Sequence, residues 1–134
     1  MPNKIFNVLS VIMLSVSSLF AYQWTSGTVT NINLHNYVTS YNYRTQPGVQ
    51  VNTVSNVNVS VCQVRLSSGT VFAFILDGST TPATWFQWLK EAKLSGKTIS
   101  IFDGTGTLEW KETAPDGTST GGNSNRWVWM VSLD

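Results

Sequence analysis

A long alternation of valines constrains the fold of this chain more than any other feature. Between Val49 and Leu66, Val recurs at positions 49, 51, 57, 59, 61 and 64, and Asn, Ser and Gln fill many of the positions between them. A period of two with β-branched residues is typical of a strand that has one buried and one solvated face. Thr28–Leu34 alternates in the same way. The pattern therefore predicts a mainly β protein.

Further strands follow the long alternation. Ser67-Ser68-Gly69 is a turn sequence, and Thr70–Leu76 is an almost continuous apolar run, typical of a strand buried on both faces, so the two strands should form a hairpin. Later in the chain, three short strands and one mobile loop are predicted, the strands at 98–102, 107–112 and 126–133 and the loop at 114–125.

One segment has helical periodicity. Thr81 followed by Pro82 is a good helix start, with Thr81 as N-cap, and Trp85, Leu89 and Ala92 recur at helical spacing. Gly96 is a C-cap candidate, so the helix is expected from Pro82 to about Ser95.

The order of these elements is a strand, a long hairpin, a helix and two or three more strands. An OB-fold-like Greek-key barrel of five or six strands with one helix after the third strand fits that order, whereas a plain β-sandwich needs no helix. The length of 134 residues favours one domain, placed at residues 22–134.

The first 21 residues are predicted to be a secretory signal peptide. Lys4 precedes an apolar run from Ile5 to Phe20, and the small residue Ala21 follows it. The run is short and interrupted by Asn7 and serines, which disfavours a membrane anchor. The mature chain is therefore expected to be secreted, periplasmic or extracellular, with no membrane span.

Charge and cysteine content exclude several classes of protein. With 8 cationic and 7 acidic side chains, the chain lacks the clustered positive charge of a nucleic-acid binder. Its single cysteine, Cys62, excludes an intramolecular disulfide and a Cys-based zinc site, although an intermolecular disulfide stays open. No cofactor or metal motif is present, so neither is expected.

The sequence offers only weak candidates for a catalytic site. The only histidine, His35, and Cys62 would make a nucleophilic pair, but Cys62 lies in the alternating valine run, which favours a buried, inert thiol. Asp103 and Glu109 would make a glycosidase-type carboxylate pair, but nothing distinguishes them from loop charges. We therefore expect a protein that is not an enzyme.

Aromatic residues in a polar stretch are the better candidates for a binding site. Tyr37, Tyr41 and Tyr43 lie among Ser, Thr and Asn and are followed by Arg44, and Tyr41 and Tyr43 share a face if the stretch is extended. Sugars stack on aromatic rings while amides and hydroxyls bind their hydroxyl groups. These residues therefore predict a glycan site, with ordinary half-buried strand tyrosines as the alternative.

Six short segments belong together: Gln23-Trp24-Thr25 after the predicted signal, Ser26-Gly27-Thr28-Val29, Val61-Cys62, Ser95-Gly96-Lys97, Ile99-Ser100-Ile101-Phe102 and Trp110. In this order they resemble the OB-fold B subunits of pertussis-like and subtilase-cytotoxin-type bacterial toxins. The resemblance implies a ring pentamer that binds host cell-surface glycans, often sialylated, and carries a separate catalytic A subunit. It also implies that Ser26 contacts the sugar and that Phe102 and Asp103 line the pocket. The cysteine that this family pairs with the equivalent of Cys62 is absent.

The sequence thus predicts a secreted, non-catalytic, glycan-binding subunit of a toxin-like complex, with candidate glycan-binding residues Ser26, Tyr41, Tyr43, Arg44, Phe102 and Asp103. The alternative is a secreted or periplasmic OB-fold protein with a structural or protein-interaction role and no glycan ligand.

Overall fold

A computed structural model describes residues 23–124 and 126–134. The predicted signal peptide at 1–21 lies outside these described residues. The described chain is mainly β with one helix, as predicted, but it contains seven strands instead of five or six. The elements are β1 (Gln23–Arg44), β2 (Asn52–Leu66), β3 (Val71–Leu76), α1 (Thr80–Ser95), β4 (Thr98–Asp103), β5 (Thr107–Thr113), β6 (Ser119–Ser124) and β7 (Val128–Leu133).

The long first strand organises the sheet. Residues 23–28 of β1 pair with β4, residues 29–43 pair with β2, and residues 38–44 also pair with β5, all antiparallel. The strand order is β3-β2-β1-β4-β7. Its two ends are joined by an isolated parallel bridge between Ala73 of β3 and Trp127, just before β7. There Ala73 N donates a hydrogen bond to Arg126 O over 3.0 Å. This arrangement is consistent with the predicted OB-like barrel.

The core has two parts, one on each face of β3. Phe72 and Phe74 face the larger cluster, which also contains Leu89 and Ala92 of α1. Ala73 and Ile75 face a smaller cluster that includes Trp110. The four central residues of β3 are all buried, which confirms a strand covered on both faces.

The helix differs from its prediction only at its start. Gly96 adopts the left-handed conformation at φ 70°, which confirms the predicted C-cap. The N-cap is Ser79 instead of Thr81, and its side chain makes no capping hydrogen bond. The Ser79 hydroxyl donates to Asp77 Oδ1 over 2.5 Å instead, because the turn before the helix uses Asp77 as its acceptor.

The predicted loop at 114–125 was wrong in part, because β6 occupies residues 119–124. β6 pairs with β5 in register, including Trp110 with Gly122. A Cβ atom at Gly122 would overlap the Trp110 indole, so glycine is what lets β6 lie against that ring. Gly122, a residue type common in loops, therefore serves a close strand contact here.

In the part of the chain that the structure describes, no helix combines the length and hydropathy needed to cross a membrane.

Candidate functional site

A cleft of about 430 Å³ lies between the end of β1, the segment joining β3 to α1, and the start of β7. This volume is within the range of about 300–1,000 Å³ usual for small-ligand sites. Aromatic side chains dominate the cleft. The lining residues are Tyr41, Tyr43, Thr45, Phe74, Ile75, Asp77, Pro82, Trp85, Trp127, Val128 and Trp129.

Two predicted site residues, Tyr41 and Tyr43, lie in this aromatic cleft. The extended β1 backbone places them on one face, as expected for residues two apart in a strand, and their ring centroids are 6.0 Å apart. The Tyr43 ring stacks on Trp127, with centroids 4.8 Å apart and planes inclined by 17°. Both rings line the cleft and also pack against the smaller core cluster.

Trp85 and Trp129 also line the cleft, and each is held by a contact with another lining residue. Trp85 packs edge-on against Phe74 at a centroid distance of 5.4 Å, which ties the helix to the core. Trp129 Nε1 donates to the Thr45 carbonyl oxygen over 2.9 Å. Each indole is therefore fixed by a contact that a ligand does not have to supply.

Asp77 brings a carboxylate to the rim of the aromatic cleft. Hydrogen bonds from the Ser79 hydroxyl and the Ser79 backbone N–H to its side chain hold the pKa of Asp77 below its ordinary value. Burial raises the pKa of Tyr41, and the neighbouring Tyr43 and Asp77 raise it further. At neutral pH the cleft thus offers a hydroxyl donor and a carboxylate acceptor beside its rings.

Sequence reasoning missed Trp85, Trp127, Trp129 and Asp77 as site residues. Trp127, just before β7, and Trp129, within β7, did carry a signal, because residues two apart in an extended segment share a face. Their partners on β1 are far away in the sequence, so the cleft itself was not visible. Trp85 fitted equally well as a core residue, and its contact with Phe74 confirms that part of its role.

Ser26 and Phe102 lie on the first half of β1 and on β4, outside the aromatic cleft. Ser26 is opposite Ser100, and its hydroxyl lies 2.7 Å from the Ser100 hydroxyl, which donates to Asp134 Oδ2 over 2.8 Å. Phe102 is opposite Trp24, with ring centroids 5.2 Å apart. Both predicted residues therefore belong to one outward face of the β1–β4 pair.

Asp103 is fully buried and makes internal contacts. Its Oδ1 accepts hydrogen bonds from Thr105 N over 2.7 Å and from Arg126 Nη1 over 3.1 Å. Glu109, its partner in the carboxylate pair considered above, is exposed and lines a different surface. In this structure Asp103 anchors the β4–β5 turn.

Arg44, the last residue of β1, is half-buried opposite Thr107 of β5. Its Nε is buried without a hydrogen-bond partner among the described residues. Arg44 does not line the aromatic cleft, although Tyr43 and Thr45 on either side of it do.

Cys62 and His35 do not form a pair. Across β1 and β2, Cys62 is opposite Leu34, and burial raises its pKa to about 12, which keeps the thiol protonated. The His35 imidazole instead lies 2.9 Å from Gln63 Oε1 and 3.2 Å from Glu112 Oε1. The described residues also contain no group of three or more side chains arranged to hold a metal ion.

A second concave surface, of about 690 Å³, covers the outward face of β2, β1, β5 and β6. Ser, Thr and Asn side chains line it together with Glu109 and Lys111. Its one aromatic residue, Trp110, is only 3% exposed. This surface offers hydrogen bonds but no open ring for stacking, so the aromatic cleft is the better candidate site.

Comparison of the chain with protein-family models, with curated proteins and with solved structures found no match. The resemblance to toxin B subunits therefore stays a prediction from short motifs, and the function has to be argued from the site itself.

Proposed function

We propose that this protein binds glycans without catalysing a reaction, and that the aromatic cleft is the binding site. The observation that carries this proposal is the stacked Tyr43–Trp127 pair, which lies in a cleft beside the Asp77 carboxylate. A pyranose ring has an apolar face that packs on such rings, while its hydroxyl groups need donors and acceptors at the edge. The cleft supplies both kinds of contact.

The charges of the cleft support the same proposal. Asp77 is the only carboxylate among the described lining residues, and none of these residues carries a positive charge. A hydroxyl-rich ligand can donate to the Asp77 carboxylate and accept from the Tyr41 hydroxyl. The two catalytic pairs considered from the sequence are also unfavourable in the described chain. In the first pair, Cys62 with His35, the thiol is buried. In the second pair, Asp103 with Glu109, Asp103 is already paired with Arg126.

A glycan-array screen of the purified protein, followed by calorimetry with the best ligand, tests the proposed function. Trp127→Ala should weaken binding by about tenfold or more, because it removes half of the stacked pair. Tyr37→Asn is the matched control, since Tyr37 is an exposed aromatic residue of the same strand as Tyr43 that does not line the cleft. Asn also tolerates the left-handed conformation of that position, at φ 63°. Absence of binding to every glycan on the array would refute the proposal.

Secretion, assembly into a ring pentamer and a catalytic partner subunit remain predictions from the sequence and from its resemblance to the toxin subunits. They agree with a non-catalytic glycan-binding role but do not enter the argument for it.

A protein-interaction role is the second candidate, and a groove between α1 and β1 favours it. Leu94 on the helix is 89% exposed and Leu34 on β1 is 44% exposed, and both line this groove with Phe86. Exposed apolar side chains gathered in one place are typical of protein contacts. If this surface joins copies of the chain, light scattering should show that the wild type forms an assembly and that Leu94→Ser dissociates it. A monomeric wild type would count against that contact.

A further inference from the structure

Aromatic rings extend from the aromatic cleft onto the outward face of the β1–β4 pair. Trp129 lines the cleft, and its ring also lies edge-on to Phe102 at a centroid distance of 6.5 Å. Phe102 in turn contacts Trp24 at 5.2 Å. We call this set the aromatic band, and its members in spatial order are Tyr41, Tyr43, Trp127, Trp129, Phe102 and Trp24.

Strand register explains why Trp129 joins the two regions. Phe102 pairs with Met130, but the next residue of β4, Asp103, pairs with Val128, so Trp129 is an extra residue in β7. Such a bulge redirects the side chain of the inserted residue. The hydrogen bond from Trp129 Nε1 to the Thr45 carbonyl oxygen then fixes the indole between the cleft and Phe102.

The far end of the aromatic band is exposed and has polar groups beside it. Trp24 is 51% exposed, although a large aromatic side chain is usually buried. Ser26, two residues further along β1, is also exposed, and its hydroxyl belongs to the network with Ser100 and Asp134. The surface near Trp24 therefore repeats the combination of ring, hydroxyl and carboxylate found in the cleft.

We propose that the ligand is a neutral, linear oligosaccharide that lies along the whole aromatic band, with one end in the cleft and the other over Phe102 and Trp24. This inference rests on the proposed function and extends it. Neighbouring rings of the band are inclined to one another by 17° to 87°, so together they form an uneven apolar surface, and successive units of a chain can contact successive rings along it. The charged groups at the two ends, Asp77 and Asp134, are carboxylates, which disfavours an acidic glycan.

Calorimetry with neutral oligosaccharides of increasing length tests the extended site. Cello- and chito-oligosaccharides of two to six units are the probes, together with a sialylated and a matching unsialylated trisaccharide. Affinity should rise with chain length in the series that binds. Trp24→Ala should weaken binding of the six-unit chain about three- to tenfold and leave the two-unit chain unchanged, because only the longer chain reaches Trp24.

Trp24→Tyr is the conservative variant, and it should restore most of the affinity for the long chain because it keeps a ring at that position. Trp127→Ala should weaken binding of short and long chains alike. Two results would overturn this inference and leave the proposed function standing. One is binding that does not depend on chain length, and the other is tighter binding of the sialylated trisaccharide than of its neutral counterpart. Absence of binding to every probe and to every arrayed glycan would overturn both.

Discussion

The rings of Tyr43 and Trp127 stack with centroids 4.8 Å apart, although Tyr43 lies near the end of β1 and Trp127 lies just before β7. The parallel bridge between Ala73 and Trp127 brings the second ring to this position. Closure of the strand path and formation of the aromatic cleft thus depend on the same few residues. Changes that loosen this bridge should affect both stability and ligand binding.

The Tyr43–Trp127 pair should be coupled in both stability and binding. Tyr43→Phe keeps the ring and should change glycan affinity by less than about threefold, whereas Tyr43→Ala should weaken it about tenfold. A double-mutant cycle of Tyr43→Ala and Trp127→Ala, measured by urea unfolding, should give a coupling energy of about 0.5–1.5 kcal/mol. A coupling energy of zero would show that the stacking contributes nothing to the fold.

Glycan binding should depend on pH through Asp77. Its hydrogen bonds with Ser79 hold the pKa of Asp77 below the ordinary value, so the carboxylate persists at mildly acidic pH. Affinity should therefore stay constant from neutral pH through the range in which an ordinary aspartate is protonated, and fall only at still lower pH. Asp77→Asn should weaken binding at neutral pH and remove this dependence. Asp116→Asn is the control, because Asp116 also has a lowered pKa but lies outside the aromatic cleft.

Asp103 should contribute to stability through its buried contacts. Asp103→Ala removes from a buried site the oxygen that accepts hydrogen bonds from both Arg126 Nη1 and Thr105 N, so it should lower the free energy of unfolding by about 3 kcal/mol. Urea denaturation followed by tryptophan fluorescence measures this loss. Asp116→Ala removes a similar bond, from Thr118 N, in an exposed turn and should lower stability much less than Asp103→Ala does. Equal effects at the two positions would contradict a special role for the buried pair.

Gly122 should be required for the packing of β6. In Gly122→Ala the added methyl group overlaps the Trp110 indole, and the variant should lose about 1–3 kcal/mol of unfolding free energy. Asn123→Ala, on the same strand and with an exposed side chain, is the control and should change stability by less than about 0.5 kcal/mol. Hydrogen exchange of the β6 amides would show whether the strand detaches, and unchanged protection in Gly122→Ala would contradict the proposed contact.

The Cys62 thiol should be unreactive in the folded protein. Burial raises its pKa to about 12, so alkylating reagents should modify it at pH 8 only after denaturation. Between pH 9 and 12 the unfolded chain loses the thiol proton while the folded protein keeps it. This contribution to stability is therefore complete below pH 9 and is lost as the pH rises towards 12. Cys62→Ala should show a smaller loss over that interval, and rapid alkylation of the native wild type would refute the burial argument.

The sequence alone predicted the elements whose residues carry a local pattern. The apolar run at 70–76 predicted a strand covered on both faces, and the glycine after the helical segment predicted the left-handed cap at Gly96. The spacing of Tyr41 and Tyr43 placed them on one face, which the structure confirms. In each case neighbouring residues determine the outcome, so the information lies within a few positions of the chain.

Long-range contacts decided the features that sequence reasoning missed. Gly121 and Gly122 suggest a loop locally, but pairing with β5 and contact with Trp110 make this segment a strand. Asp103 suggested a surface carboxylate, and only Arg126 and the sheet around it explain its burial. Local propensity gives way at both sites because backbone pairing and ion pairing with distant residues contribute more free energy than the local preference.

The sequence by itself thus determined a β-rich chain with one helix and two tyrosines on one face of a strand. The tertiary structure decided that Tyr43 stacks on Trp127, that Asp77 lies at the rim of the same cleft, and that Trp129 continues the rings towards Trp24. The physical reason is that strand alternation fixes only which face a side chain occupies. Which faces meet depends on the register and closure of the whole sheet.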